Sequence, residues 1–252
     1  MDFLRPLLAL APDYKKRNGR PFVTLSYAQS LDGCISARPG EPMALSGQRS
    51  LRLTHQLRAA HDAILVGIGT VFSDNPRLTV RLVNGSNPRP VVVDSFLRIP
   101  LDCNILTERS RDPIIVTSKK AEECRVKTLE EMGALVIRVN SNNRGLLDLV
   151  ELLSALADLS INSLMVEGGA RIITSFLMDK LPDFVVLTIA PVMVGGLRAV
   201  SDLGESDPNQ YLRLQDPGHR WLGKDLILWG NLTCDCGAHA QISTAISGGV
   251  RF

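Results

Sequence analysis

Short apolar runs alternate with predicted helices through most of this chain. Runs of three to seven residues are typical of strands, and they occur at residues 21–27, 63–66, 90–94, 113–117, 134–139 and 164–166. Predicted helices at residues 48–60, 121–132 and 146–159 separate several of them. This alternation predicts an α/β fold with a mainly parallel central sheet flanked by helices. Two later strands, 184–189 and 225–229, lack a long helix between them, so we expect them to be antiparallel and 225–229 to close the sheet.

The turn after residues 164–166 is the strongest single candidate for a ligand site. Glu167 ends the predicted strand, Gly168 and Gly169 turn the backbone, and residues 170–177 are predicted to form a helix. Such a junction presents unpaired backbone N–H groups to an anion, and glycine lets a phosphate approach without meeting a Cβ atom. From this stretch alone, a nucleotide site and an ordinary β–α turn without a ligand are equally good interpretations.

Composition limits the classes of partner and location. The chain has 252 residues, 45% of them hydrophobic, and a net charge of +2, which predicts a globular protein and gives no electrostatic reason to expect nucleic acid or a membrane surface. Five scattered cysteines fit a reducing compartment, so we predict a cytoplasmic location. The predicted domain covers residues 21–230. It lies between an N-terminal extension, 1–20, whose helix should cover the sheet edge, and a C-terminal tail, 231–252.

Polar residues and glycines collect where the predicted strands end, which is where open parallel sheets bind ligands. Five strand ends carry them: Ser30, Asp32 and Gly33; Gly67, Gly69, Thr70 and Asp74; Asp94, Ser95 and Arg98; Glu167, Gly168 and Gly169; Gly195 and Gly196. Together they predict a ligand of nucleotide size lying across the sheet. A metal site is a weaker interpretation, because Cys234, Cys236 and His239 supply one ligand too few for a closed zinc site. With no metal set and no nucleophile–base pair, we expect a cofactor to carry the chemistry, which favours redox transfer.

A set of motifs runs along the chain in a fixed order. They are residues 30–33, 67–80, 92–95 with Arg98, 166–169, and 190–191 with Gly195 and Gly196. In this order they resemble the riboflavin-biosynthesis reductases. The resemblance implies a dihydrofolate reductase-like fold, NADPH as the cofactor, a homodimer, and reduction of the ribosylamino side chain of a pyrimidine 5′-phosphate to the ribitylamino form.

The resemblance also implies roles for individual residues. On the cofactor side it places Thr70 and Asp74 beyond the second strand, Ser95 and Arg98 near the 2′-phosphate of NADPH, and Gly168, Gly169, Ala170, Arg171 and Ile172 around the pyrophosphate. On the substrate side it places Arg58 and Arg81 near the ribose phosphate, and Asp32 and Glu167 as the candidate catalytic residues in contact with the substrate or its surroundings.

Each assignment has a structural alternative. Asp32 could only shape a turn, Arg58 could be a solvated helix residue, and Arg81 a loop charge. For Asp94, anchoring of its own loop is the favoured interpretation. The substrate is either 2,5-diamino-6-ribosylamino-4(3H)-pyrimidinone 5′-phosphate or the deaminated 5-amino-6-(5-phosphoribosylamino)uracil. A dihydrofolate- or pterin-type reductase and a non-catalytic nucleotide-binding protein are the competing interpretations of the whole chain.

Overall fold

The computed structural model of the protein describes residues 3–108 and 111–233. Helices and strands alternate along most of this region. The strands are β1 (Phe22–Ser30), β2 (Cys34–Ser36), β3 (Ala63–Gly67), β4 (Arg89–Val93), β5 (Ile114–Ser118), β6 (Leu135–Val139), β7 (Ser163–Gly168), β8 (Phe184–Ala190), β9 (Leu197–Arg198), β10 (Arg213–Leu222) and β11 (Asp225–Thr233). The helices are α1 (Arg5–Ala9), α2 (Ala11–Asn18), α3 (Gln48–Ala60), α4 (Ile68–Asp74), α5 (Asn104–Thr107), α6 (Glu123–Glu131), α7 (Leu149–Asp158) and α8 (Ala170–Met178), with a 3-10 turn at Pro208–Gln210.

The large sheet has nine strands in the order β10-β11-β8-β1-β7-β3-β4-β5-β6. The seven strands from β8 to β6 in that order are parallel to one another. β11 and β10 are antiparallel to their neighbours, and the short strands β2 and β9 pair separately. The predicted architecture, a mainly parallel sheet with helices and with antiparallel strands near the C-terminus, is therefore confirmed.

The prediction for one edge of the sheet is wrong. The strand predicted at residues 225–229 does not close the sheet, because β10 pairs along its outer side, with Leu222 opposite Asp225. β10 is largely exposed, and its register shifts between Gln215 and Gly218. An exposed edge strand interrupted by a bulge shows little alternation of apolar and polar residues, so its sequence pattern does not distinguish it from a loop.

Apolar side chains cover both faces of the sheet. On one face, Ile64 and Val66 of β3 pack in a cluster with Leu57 of α3. On the other face, Leu65 of β3 packs in a second cluster with helices α7 and α8, which includes Phe176. Successive strand residues point to opposite faces, so burial on both sides explains why these strands are continuous apolar runs. In the part of the chain that the structure describes, no helix has the length and apolarity needed to cross a membrane.

The N-terminal helices pack on the first of these clusters, on a face of the sheet over its interior strands β1 and β8, and not at the sheet edge as predicted. Leu4, Leu7 and Tyr14 are buried there. The Tyr14 hydroxyl donates to Asp183 Oδ1 at 2.7 Å, and the guanidinium of Arg20 donates to both oxygens of Asp183 at 2.8 and 2.9 Å. Burial and the Asp183 carboxylate raise the pKa of Tyr14. Residues 3–20 thus share the domain's core, while the predicted boundary between extension and domain stays a prediction.

Candidate functional site

Four adjacent strands bring most of the predicted site residues to one edge of the sheet. In the order β1-β7-β3-β4 the strands are parallel, so their carboxyl ends meet along the same edge. Asp32 follows β1, Glu167 lies in β7, Thr70 follows β3 and Ser95 follows β4. Since neighbouring strands are about 4.8 Å apart, these four ends span about 15 Å. That span suits an extended ligand such as a dinucleotide.

The turn between β7 and α8 has a backbone conformation that favours glycine at two consecutive positions. Gly168 and Gly169 have φ values of 134° and 90°, which L-residues rarely adopt. A Cβ atom on Gly169 would lie 2.9 Å from the Thr70 hydroxyl, so the turn and α4 are in close contact. No side chain caps the start of α8, which leaves the backbone N–H groups of its first turn, from Ala170 to Ile172, available to an anion.

The ends of β3 and α8 are packed against each other through a second glycine. A Cβ atom on Gly67 would lie 2.7 Å from Cγ1 of Ile172. The register between β3 and β7 also shifts here, so that Val66 lies opposite Gly168. The nearby predicted residues on α4 differ in their exposure, because Thr70 is half-buried beside the turn and Asp74, one helical turn later, is exposed. Arg171, also predicted at the cofactor, is exposed at the start of α8.

The loop after β4 presents a cation between two aromatic rings. Asp94 is fully buried, and its Oδ2 accepts the backbone N–H of Ile99 at 2.8 Å. The favoured interpretation of Asp94 as a loop anchor is therefore confirmed. The guanidinium of Arg98 is half exposed, and its carbon lies 5.8 Å from the ring centroid of Phe72 and 5.7 Å from that of Phe96. Both rings are exposed, so this strand end offers a positive charge and flat apolar surfaces together.

Arg58 and Glu167, predicted separately at the substrate, bind each other. Arg58 Nε donates to Glu167 Oε2 at 2.7 Å, and its Nη2 donates to Oε1. Both side chains are largely buried, with 9% and 19% of their surface exposed. Burial lowers the pKa of Arg58 and the Glu167 carboxylate raises it, with a net rise. This pair fixes the position of Glu167 on β7 and removes the interpretation of Arg58 as a freely solvated residue.

Arg81 joins this group through Thr79. Arg58 Nη1 donates to the Thr79 carbonyl at 3.1 Å, and Arg81 Nη1 donates to the Thr79 hydroxyl at 2.8 Å. Partial burial, with Arg58 and Arg77 nearby, lowers the pKa of Arg81. Arg58 is paired with Glu167 and Arg77 with Glu108, so Arg81 is the cation of this group that keeps donors for an anion.

His55 is a site neighbour that the sequence did not single out. It is buried on α3, one turn before Arg58, and its Nδ1 accepts the backbone N–H of Arg81 at 2.9 Å. Burial, followed by the charges of Arg58 and Arg81, lowers the pKa of His55 to about 4. The ring is therefore neutral near pH 7 and holds the Arg81 backbone in place. The spacing of three residues from His55 to Arg58 could have indicated a shared helix face.

The carboxylate of Asp32 is used by its own surroundings. It accepts hydrogen bonds from Ser30 Oγ at 2.6 Å, from the backbone N–H of Val194 at 3.0 Å and of Gly195 at 2.6 Å, and from Cys34 Sγ at 3.4 Å. The Ser30 hydroxyl first, and then these two N–H groups, hold the pKa of Asp32 well below its usual range. Asp32 thus ties the turn after β1 to the loop after β8, and a catalytic role for it stays a prediction.

Metal binding receives no support from the described residues. Within residues 3–108 and 111–233, no group of His, Cys, Asp and Glu side chains is arranged to hold a metal ion. The candidate set of Cys234, Cys236 and His239 lies outside the described residues.

Comparison with known proteins decides the family. The model of the RibD C-terminal domain matches residues 21–228. The chain belongs to the RibD C-terminal domain family. Within it, the chain is 38% identical over 215 residues to the 2,5-diamino-6-ribosylamino-4(3H)-pyrimidinone 5′-phosphate reductase of Methanothermobacter thermautotrophicus, covering 83% of this chain and 97% of that protein.

Two further relatives show how much of a longer protein this domain represents. The chain is 34% identical over 211 residues to the riboflavin biosynthesis protein RibD of Aquifex aeolicus, but spans only 57% of it. Among solved structures, the Riboflavin Biosynthesis Reductase Rib7 of Saccharomyces cerevisiae superposes with a TM-score of 0.67 at 27% identity, covering 89% of this chain and 100% of that one. The chain therefore covers nearly the full length of some relatives and little more than half the length of others.

Proposed function

We propose that this protein is an NADPH-dependent reductase of riboflavin biosynthesis, which converts the ribosylamino side chain of a pyrimidine 5′-phosphate to the ribitylamino form. The observation that carries the proposal is the convergence of four strand ends, with a glycine cradle at one and an arginine pair beside it. Relatives matched over 95% and 97% of their length are named as reductases of the diamino-pyrimidinone, which supports that substrate ahead of the aminouracil. A cytoplasmic homodimer is proposed from the family resemblance.

The residues at the strand edge fit NADPH. Gly169 has no room for a side chain, and the uncapped start of α8 offers N–H groups to a pyrophosphate. Arg98 offers a half-exposed guanidinium to the 2′-phosphate, next to Ser95. Phe72 and Phe96, beside Arg98, give the adenine ring a flat surface. The remaining proposed cofactor contacts are Thr70, Asp74, Gly168, Ala170, Arg171 and Ile172.

The chain's own contribution to the reaction is mainly positioning. When bound, NADPH supplies the hydride. Arg81 binds the substrate's phosphate, and Arg58, whose donors are held by Glu167 and Thr79, adds its positive charge beside it. The Arg58 pair holds the Glu167 carboxylate at the end of β7, where it can accept hydrogen bonds from substrate hydroxyls. Such fixed distances and angles are enough for large rate enhancements without a covalent intermediate.

A substrate panel tests this proposal. We expect NADPH oxidation with the diamino-pyrimidinone phosphate, slower oxidation with the aminouracil phosphate and none with dihydrofolate. As a control, Arg81→Gln should raise KM for the pyrimidine phosphate and leave KM for NADPH unchanged, because Arg81 is assigned only to the substrate. Oxidation with dihydrofolate alone would identify a pterin-type reductase. NADPH binding without turnover of any of the three would identify a non-catalytic nucleotide-binding protein.

A further inference from the structure

A separate cavity lies between α3 and the hairpin of β10 and β11. Its volume is about 250 Å³. On the helix side it is lined by residues 49, 52, 53 and 56, whose spacing places them along one face of α3. On the other side, Arg220 of β10 and Ile227 of β11 line it. The residues proposed above for NADPH and for the pyrimidine phosphate take no part in this lining, so the cavity is a different site.

Three arginines give this cavity a positive charge that no neighbour balances. Arg49, Arg52 and Arg220 all line it and are all exposed. Among the residues that the structure describes, no partner forms an ion pair or a hydrogen bond with any of the three guanidinium groups. The lining contains no acidic side chain. Asp225, at the start of β11, is buried, accepts the backbone N–H of Gly47 at 2.8 Å and does not line the cavity. The cavity is therefore set to attract an anion.

The floor of the cavity is apolar and fixed. Leu53 and Ile227 are buried, and the rings of Phe3 and Trp229 stack with centroids 4.2 Å apart and an angle of 13° between planes. The Trp229 ring lies across Gly218 of the neighbouring strand, where a Cβ atom would come within 2.4 Å of it. A rigid apolar floor below flexible guanidinium groups suits a ligand with both a ring and a negative charge.

We propose that this cavity binds a phosphate monoester of mononucleotide size. A dianionic phosphate matches several guanidinium groups, because each can donate two parallel hydrogen bonds to it. The volume lies below the range of about 300–1,000 Å³ usual for drug-sized ligands, which excludes a dinucleotide. The base or ring of the ligand lies on the floor formed by Leu53, Ile227 and Trp229.

Calorimetric titration of the whole protein in the Arg81→Gln background tests this inference. Saturating NADPH fills the cofactor site, and the Arg81→Gln change weakens the pyrimidine phosphate site, which would otherwise also take a monophosphate. The probes are adenosine 5′-monophosphate, inorganic phosphate and adenosine. We expect the monophosphate to bind, and both fragments to bind at least about tenfold more weakly, because each makes only one of the two kinds of contact. The double variant Arg52→Gln with Arg220→Gln should weaken binding of the monophosphate by about tenfold or more. Both positions are exposed, so these changes leave the fold intact.

Arg17→Gln is the matched control, since Arg17 is an exposed arginine on α2, outside this cavity. Its binding should equal that of the Arg81→Gln protein. The inference is overturned if the NADPH-saturated protein does not bind adenosine 5′-monophosphate, or if the double variant binds as well as the Arg81→Gln protein. Equal weakening in the control would show a general charge effect, and equal binding of inorganic phosphate would show a bare anion site; either result also contradicts it.

Discussion

Removal of the Arg98 guanidinium should reduce the preference for NADPH over NADH by an amount that the structure allows us to calculate. Its ion-pair partner Asp94, 3.7 Å from Nε, is buried and already accepts the N–H of Ile99, so the guanidinium keeps donors for a ligand. A hydrogen bond to a charged group contributes about 1.5–3 kcal/mol. Because 52% of the Arg98 side chain is exposed, solvent weakens the interaction, and we take about 1.5–2 kcal/mol. That energy corresponds to a factor of about 10 to 30.

Arg98→Ala should therefore raise KM for NADPH by about 10- to 30-fold and leave KM for NADH nearly unchanged, because NADH lacks the 2′-phosphate. Arg98→Lys keeps the charge but not the forked donors, so its effect should be smaller. Steady-state kinetics with each cofactor give both constants, and thermal melting checks the fold. Arg77→Ala is a suitable control, because that side chain is 53% exposed and pairs with Glu108 instead.

The outcome that refutes this reasoning is an equal rise in KM for NADPH and NADH. It would mean that Arg98 supports the loop after β4, through its contacts with Phe72 and Phe96, and does not bind the 2′-phosphate. A rise in the Arg77→Ala control of the same size would point to long-range electrostatics.

Three other changes test neighbouring parts of the site. Gly169→Ala should lower stability by about 1–2 kcal/mol and weaken NADPH binding, because φ is 90° and the new Cβ atom would meet the Thr70 hydroxyl. Gly145→Ala is the control: its φ is 73° and no atom lies near the new Cβ, so it should affect stability alone. Glu167→Gln should cost about 2 kcal/mol in urea unfolding by leaving Arg58 without its counter-ion, and the double variant with Arg58→Gln should cost less than the sum of the single changes. Burial lowers the pKa of His61 to about 4, so on acidification the unfolded state binds a proton at a higher pH than the folded state. The free energy of unfolding should therefore fall by up to about 3 kcal/mol as pH drops from about 6.5 towards 4. His61→Gln should reduce this dependence on pH.

The sequence predicted best those elements whose residues are neighbours in the chain. Helix α3 matches its predicted range, and the turn at Gly168 and Gly169 follows a strand and opens a helix as predicted. The contacts that give site residues their roles join distant positions. Arg58 and Glu167 are 109 residues apart, and Asp32 is 162 residues from Val194. A single sequence contains no signal for such pairs. A site residue could therefore be proposed from its position at a strand end, but the residue that it binds could not be predicted.

Those distant contacts also limit how a proton can reach the substrate. Asp32 is held ionised by the hydrogen bonds that join its turn to the loop after β8, so it has no proton to give near pH 7. Glu167 gives both oxygens to Arg58, and His55 is neutral with Nδ1 already accepting a hydrogen bond. The carboxylates closest to the proposed substrate thus orient it and accept hydrogen bonds. In the proposed reaction these side chains fix the geometry in which the hydride is transferred.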